Sequence, residues 1–162
     1  MADTTAAQVE KIEAGKVEKI PYYEAVGRRK EASARARLHV ATEQPVSVHG
    51  VQVAKGDMIV NGRPAEKYFP GEVYKKMYTE PFRTTNTIGR FAVSIQVTGG
   101  GLGGQLGAVI HALSRALEKV DKEKFRPILK KRGFMTRDSR TRERRKAGKA
   151  GKARAGKQSP KR

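Results

Sequence analysis

Phe91-Ala-Val-Ser-Ile-Gln-Val97, then Gly99-Gly-Gly-Leu-Gly-Gly104, then Gln105-Leu-Gly-Ala-Val-Ile-His-Ala-Leu-Ser-Arg-Ala-Leu-Glu-Lys-Val120 is the stretch on which the fold turns. The first segment alternates with period two. Phe91, Val93, Ile95 and Val97 share one face and Ala92, Ser94 and Gln96 the other, as in a strand with one buried side. In the last segment Leu106, Val109, Ile110, Leu113, Leu117 and Val120 form one stripe at helical spacing, with His111, Arg115, Glu118 and Lys119 off it. A glycine run joins strand to helix. It fits G-x-G-x-x-G as Gly99, Gly101 and Gly104, with Asp121 following, which is the spacing of a dinucleotide-binding fingerprint. The context opposes that reading: the acidic residue should close a second parallel strand, yet residues 114–132 read as helix, cap and helix, and no further βαβ unit follows. Two readings of the turn remain. Gly100, Gly101, Gly103, Gly104 and Gln105 present unpaired N–H groups and a positive dipole end to a phosphate, or the glycines only let the strand and helix backbones approach closely.

Working outward, Asp121 caps a second helix reaching about Arg132, with Phe125, Ile128 and Leu129 apolar, Pro127 in or near its first turn and Gly133 as its stop. Upstream, Tyr22 to Val26 starts a strand. Ala34, Ala36, Leu38 and Val40 alternate with Arg35, Arg37 and His39. Val46, Val48, Val51 and Val53 suggest short strands around a turn at His49-Gly50, and Met58 to Val60 is another, stopped by Asn61-Gly62. Arg63 to Phe69 reads as a short helix with Pro64 near its start, and residues 71–82 as a longer one. The expected architecture is an α+β domain over 21–133, preceded by a polar extension 1–20 and followed by a basic arm 134–162.

Charge decides the functional class. Thirty-five Lys and Arg against 16 Asp and Glu give the 162-residue chain a formal charge of +19, which calls for a polyanionic partner. Residues 126–162 hold 16 basic residues against Asp138 and Glu143 alone, an excess of +14. From Thr136 onward the only apolar residues are alanines, so the arm cannot offset its ordering entropy unaided and is expected to order on nucleic acid. There is no Cys, hence no disulfide framework or thiolate site. No apolar run is long enough to span a membrane, and the N-terminus lacks the apolar core of a secretory signal, so the default is a soluble intracellular protein. His39, His49 and His111 show no metal-ligand spacing, and neither a Walker A, an H-E-x-x-H nor a G-x-S-x-G pattern occurs. No catalytic set, cofactor or small-molecule substrate is read.

The candidate phosphate contacts are cations. Gly27-Arg28-Arg29-Lys30 is a cluster beside the first strand, with Arg35 and Arg37 on one face of the next. Lys130, Lys131 and Arg132 end the last helix. Arg137, Arg140, Arg142, Arg144, Arg145, Lys146, Lys149, Lys152, Arg154 and Lys157 line the arm, where arginine forks suit phosphate and guanidinium planes can stack on bases. Tyr22, Tyr23, Tyr68, Phe69, Tyr74, Tyr78 and Phe82 are read as core before stacking platforms.

These residues resemble the family of the ninth protein of the small ribosomal subunit. The resemblance rests on an ordered set: Gly27-Arg-Arg-Lys30 with Ala34-Arg35, Val60-Asn-Gly-Arg63 before Tyr68-Phe69, and Gly99-Gly-Gly101 with Gly104-Gln105. It continues through Arg115-Ala-Leu117, Gly133-Phe134-x-Thr136-Arg137-Asp138, Glu143-Arg-Arg-Lys146 and the terminal Lys161-Arg162. It implies a mixed sheet with helices packed on one side, related to the second domain of another small-subunit protein. It further implies a cytoplasmic protein bound to ribosomal RNA in the subunit head beside neighbouring head proteins, and an arm whose last residues, Lys161 and Arg162, touch the peptidyl-site tRNA. The chain departs from the family where its tail reads Ser159-Pro160-Lys161-Arg162, since Pro160 fixes its own φ and restricts Ser159. Composition by itself also fits a general nucleic-acid compactor, whose binding would fall steeply and unselectively with salt.

Overall fold

The computed structural model describes residues 22–40, 45–48, 51–142 and 145. The expected extension 1–20, the His49-Gly50 turn, Arg144 and everything from Lys146 onward lie outside the described residues. A five-stranded mixed sheet runs in the order β1-β2-β7-β5-β6. β1 (Tyr22–Arg29), β2 (Ala32–Val40) and β7 (Phe91–Thr98) are successive antiparallel neighbours, and β5 (Met58–Val60) pairs parallel to β7. A parallel neighbour needs a crossover, supplied here by α1 (Ala65–Tyr68) and α2 (Glu72–Thr84). α3 (Leu102–Val120) lies against β1 and β2, and α2 and α4 (Lys122–Lys131) pack onto α3, so the helices share one side. A separate hairpin of β3 (Val46–Val48) and β4 (Val51–Val53) packs Val46 and Val53 over Ala92 and Ile59 on the other side. The class expected from the sequence is the class observed.

Small residues set the distance between layers. Ala34 and Ala36 on β2 and Ala108, Ala112 and Ala116 on α3 are wholly buried, which lets the helix lie almost on the strands. Larger side chains then fill the space: Leu38, Ile95, Leu106, Leu113 and Leu117 are buried in one cluster with Phe69, Tyr78 and Phe82. Burying each large aliphatic contributes about 1.5–3 kcal/mol. The outer edge of β1 is closed by α3, whose Arg115 Nη1 donates to the Val26 carbonyl (2.6 Å) and Lys119 Nζ to that of Glu24 (2.7 Å). Those edge carbonyls are therefore not left as a template for another strand.

Three local expectations change. Arg63 does not begin a helix: Arg63–Pro64 is strand β6, paired with β5 as Val60↔Arg63 and Ile59↔Pro64. Asn61 (φ 48) and Gly62 (φ 76) form the two-residue turn between them, the positive-φ pair that favours tight hairpins. Pro127 lies in the second turn of α4, not the first, and removes the N–H that would bond to Glu123. The helix survives because both ends are tied. Asp121 Oδ1 accepts from Lys124 N (3.1 Å), and Gly133 N to Lys130 O with Phe134 N to Leu129 O closes a Schellman turn. Finally, Val40 is 46% exposed and His39 only 6%. Val40 is the last residue of β2 and stays open to solvent, whereas His39 sits on the opposite face beside Tyr22, with ring centroids 5.5 Å apart.

Candidate nucleic-acid interface

Lys30 stands at the tip of the β1–β2 hairpin with φ 52, exposed, and Arg28 beside it is exposed too. Their neighbour Arg29 points to the helical side. Its Nε and Nη2 meet Asp138 Oδ2 at 3.2 and 3.1 Å, and Nη1 donates to the Gly103 carbonyl at 3.2 Å. Arg29 therefore ties the first hairpin, the start of α3 and the root of the arm together. On the sheet face opposite α3, Glu24 accepts from Arg37 Nε at 2.8 Å and lies 3.7 Å from Arg35 Nε. Arg37 also rests 5.1 Å from the centre of the Tyr22 ring. One carboxylate thus partly neutralises two of the expected phosphate contacts.

On the helical side, α4 ends in exposed Lys130, Lys131 and Arg132, with Arg132 3.8 Å from Glu80. The chain beyond Gly133 does not leave at once: Phe134 and Met135 pack against the core. Asp138 then accepts from the Arg140 backbone (3.1 Å) and guanidinium (3.0 Å to each oxygen). The Arg140 bonds, with Arg29 adding charge, hold the Asp138 carboxyl far below the usual carboxylate range. Arg137, Arg142 and Arg145 are exposed.

The glycine turn resolves in part. A Cβ on Gly99 (φ 72) would lie 2.5 Å from the Glu31 carbonyl oxygen and one on Gly100 (φ 62) 3.1 Å from Ala32 N, so these two serve close packing against the hairpin. Gly104 N and Gln105 N both bond to Gly101 O, and the Gln105 side chain bridges the Gly99 carbonyl and the Tyr68 hydroxyl. Only Gly101 and Gly103 face open space, and close packing gives no reason for glycine there. Asp121 is a helix cap, and α4 follows where the dinucleotide fingerprint needs a strand, which removes that reading.

Tyr78, Phe82 and Phe69 are core; Tyr22, 48% exposed, is the one expected aromatic that stays on the surface. Among the described residues no group of acids and histidines could hold a metal, and no helix is long and apolar enough to cross a membrane. The sequence reading missed the company Arg28 and Arg137 keep: with Val26, His111 and Arg115 they line one hollow. The signal was the four-residue spacing of His111 and Arg115, which puts both on one helix face.

A family model described as ribosomal protein S9/S16 matches residues 27–162. The chain is 46% identical over 124 residues to small ribosomal subunit protein uS9 of Leifsonia xyli subsp. xyli (strain CTCB07), covering 76% of this chain and 66% of that protein. It is 44% identical over 126 residues to small ribosomal subunit protein uS9 of Anaeromyxobacter sp. (strain K), covering 78% and 86%. With the protein of that name from Maridesulfovibrio salexigens (strain ATCC 14822 / DSM 2638 / NCIMB 8403 / VKM B-1763) it shares 43% identity over 127 residues, covering 78% and 87%.

Proposed function

Because the chain belongs to the ribosomal protein S9/S16 family, we propose that it is a structural constituent of the small ribosomal subunit that binds ribosomal RNA in the head. The family is one of structural ribosomal proteins, not of enzymes. The reading places the protein on cytoplasmic ribosomes beside neighbouring head proteins. The globular domain recognises a folded RNA surface through phosphates and shape, and the C-terminal arm runs inward until Lys161 and Arg162 meet the peptidyl-site tRNA.

The observation that carries this reading is where the cations are spent. Acids pair with Arg29, Arg35, Arg37, Arg126, Arg132 and Arg140. Arg28, Lys30, Lys130, Lys131, Arg137, Arg142 and Arg145 have no carboxylate partner among the described residues, and lie at the hairpin tip, the end of α4 and the root of the arm. The remaining expected contacts, Arg144, Lys146, Lys149, Lys152, Arg154 and Lys157, continue the same series in sequence.

The test is truncation. Deleting residues 159–162 removes two of the 16 cations in 126–162 and should leave subunit assembly intact while weakening tRNA at the peptidyl site, read by filter binding. Unchanged tRNA binding would remove the role given to Lys161 and Arg162. Loss of assembly would show that the tail end is needed for RNA folding instead.

A further inference from the structure

Arg28 from the end of β1, Arg115 from the middle of α3 and Arg137 from the chain after α4 converge on one hollow of about 280 Å³, which they line with Val26 and His111. Three arginines from three elements line it, and no carboxylate among the described residues does. Elsewhere in the described residues, most arginines have found an acid. Like charges gathered without a counter-ion repel one another, at a cost that an anion removes. Asp138 is a candidate counter-ion from within the chain. It lines the adjoining hollow with Arg28 and His111, but both its oxygens are taken by Arg29 and Arg140.

We propose that Arg28, Arg115 and Arg137 form a socket for a single backbone phosphate of the bound RNA, with His111 as its floor. This rests on the reading that the partner is ribosomal RNA, and deepens it by naming where one phosphate is held and two residues that sequence reasoning did not assign to it. The volume is several times the ~30 Å³ share of a water molecule, room for a phosphate and its remaining waters. Arg115 is pre-set, because its Nη1 is already held by the Val26 carbonyl, and its other N–H groups are directed by that bond. Arg137 is carried by a short segment pinned on one side by the Gly133 turn and on the other by the Asp138 clasp. A guanidinium fork held in place loses little entropy on binding phosphate.

His111 belongs to the site for a second reason. Burial, then Arg115, and more weakly Arg137, hold its imidazole below the ordinary histidine range, against a backbone contribution from Met135. The groups around it are thus Arg28 and Arg29 from β1, Arg115 from its own helix, and Met135, Arg137 and Asp138 from the chain after α4. A phosphate in the socket would oppose the cations.

The experiment titrates the full-length protein with small-subunit ribosomal RNA and with an unrelated RNA across a range of KCl. The variants are R28Q/R137Q, R28K/R137K and the control R126Q, whose residue pairs with Glu118. Wild type should prefer its own RNA. R28Q/R137Q should bind it at least about tenfold more weakly, with a log–log salt slope shallower by roughly one, the loss of one phosphate contact. R28K/R137K keeps both charges, and should restore the slope but only part of the affinity. R126Q should match wild type. A wild-type preference with R28Q/R137Q indistinguishable in affinity and slope would overturn the socket and leave the ribosomal reading standing. Loss of preference in the wild type would overturn the reading itself. Submillimolar calorimetric binding of inorganic phosphate, abolished in R28Q/R137Q, would assign the socket to a free anion and overturn the RNA assignment.

Discussion

A methyl group at Gly27 would lie 2.2 Å from the Ala108 carbonyl oxygen and 2.3 Å from the Ala112 amide nitrogen. Both obstacles are backbone, so neither can step aside by changing rotamer. G27A should therefore destabilise the fold by about 3 kcal/mol or more, the upper end of overpacking costs, measured by urea unfolding. G103A is the opposite case. Its Cβ would meet nothing, and it lies in the first turn of α3, so it should stabilise by less than about 1 kcal/mol. If G103A also weakens RNA binding, that glycine serves the phosphate-turn reading. At the same scale, His39 and His111 both have their pKa lowered from 6.5, mainly by burial and then by neighbouring arginines. The unfolded chain then binds more protons than the folded one below about pH 6.5. Stability in the free protein should be complete above that pH and fall as pH drops through the folded-state values. Melting curves between pH 7.5 and pH 5 check this. In H39Q the decline should be shallower, and an unchanged decline in both H39Q and H111Q would refute the assignment.

The strand–turn–helix stretch from Phe91 to Val120 was legible because both periodicities were strong and the glycine run separated them. Arg63–Pro64 was not, because its strand character comes from partners: it is a two-residue element created by the Asn61-Gly62 turn. Asn61 shows the same limit. Its side chain donates to Val97 O (2.9 Å) and accepts from Val97 N (2.8 Å), extending the β5–β7 ladder beyond where the backbone of β5 stops. Nothing local to residue 61 announces a partner 36 positions away. The pairing Arg29–Asp138, at a separation of 109 residues, is hidden for the same reason, although Asp138 was conspicuous as an acid within a basic run. D138A should cost little stability, since the pairs are solvated. It should nevertheless speed hydrogen exchange at the Arg140 amide, whose acceptor is Asp138 Oδ1, while amides in the middle of α3 stay protected. Unchanged exchange at Arg140 would mean the clasp does not hold the root of the arm.

At the scale of the whole molecule, the division of charge explains how a protein of +19 folds at all. Most of the acids lie before residue 126, where Glu24, Glu80 and Glu118 pair with arginines, whereas the last 37 residues carry an excess of +14. Arg28, Arg115 and Arg137, without acidic partners among the described residues, line a hollow that no described carboxylate shares. The most direct test of this account follows the tagged full-length chain through a sucrose gradient of growing cells at moderate salt. Comigration with the small subunit, persisting as salt rises until the subunit itself loses proteins, is the predicted result. A chain found at the top of the gradient, or spread over nucleic acid of every size, would contradict it.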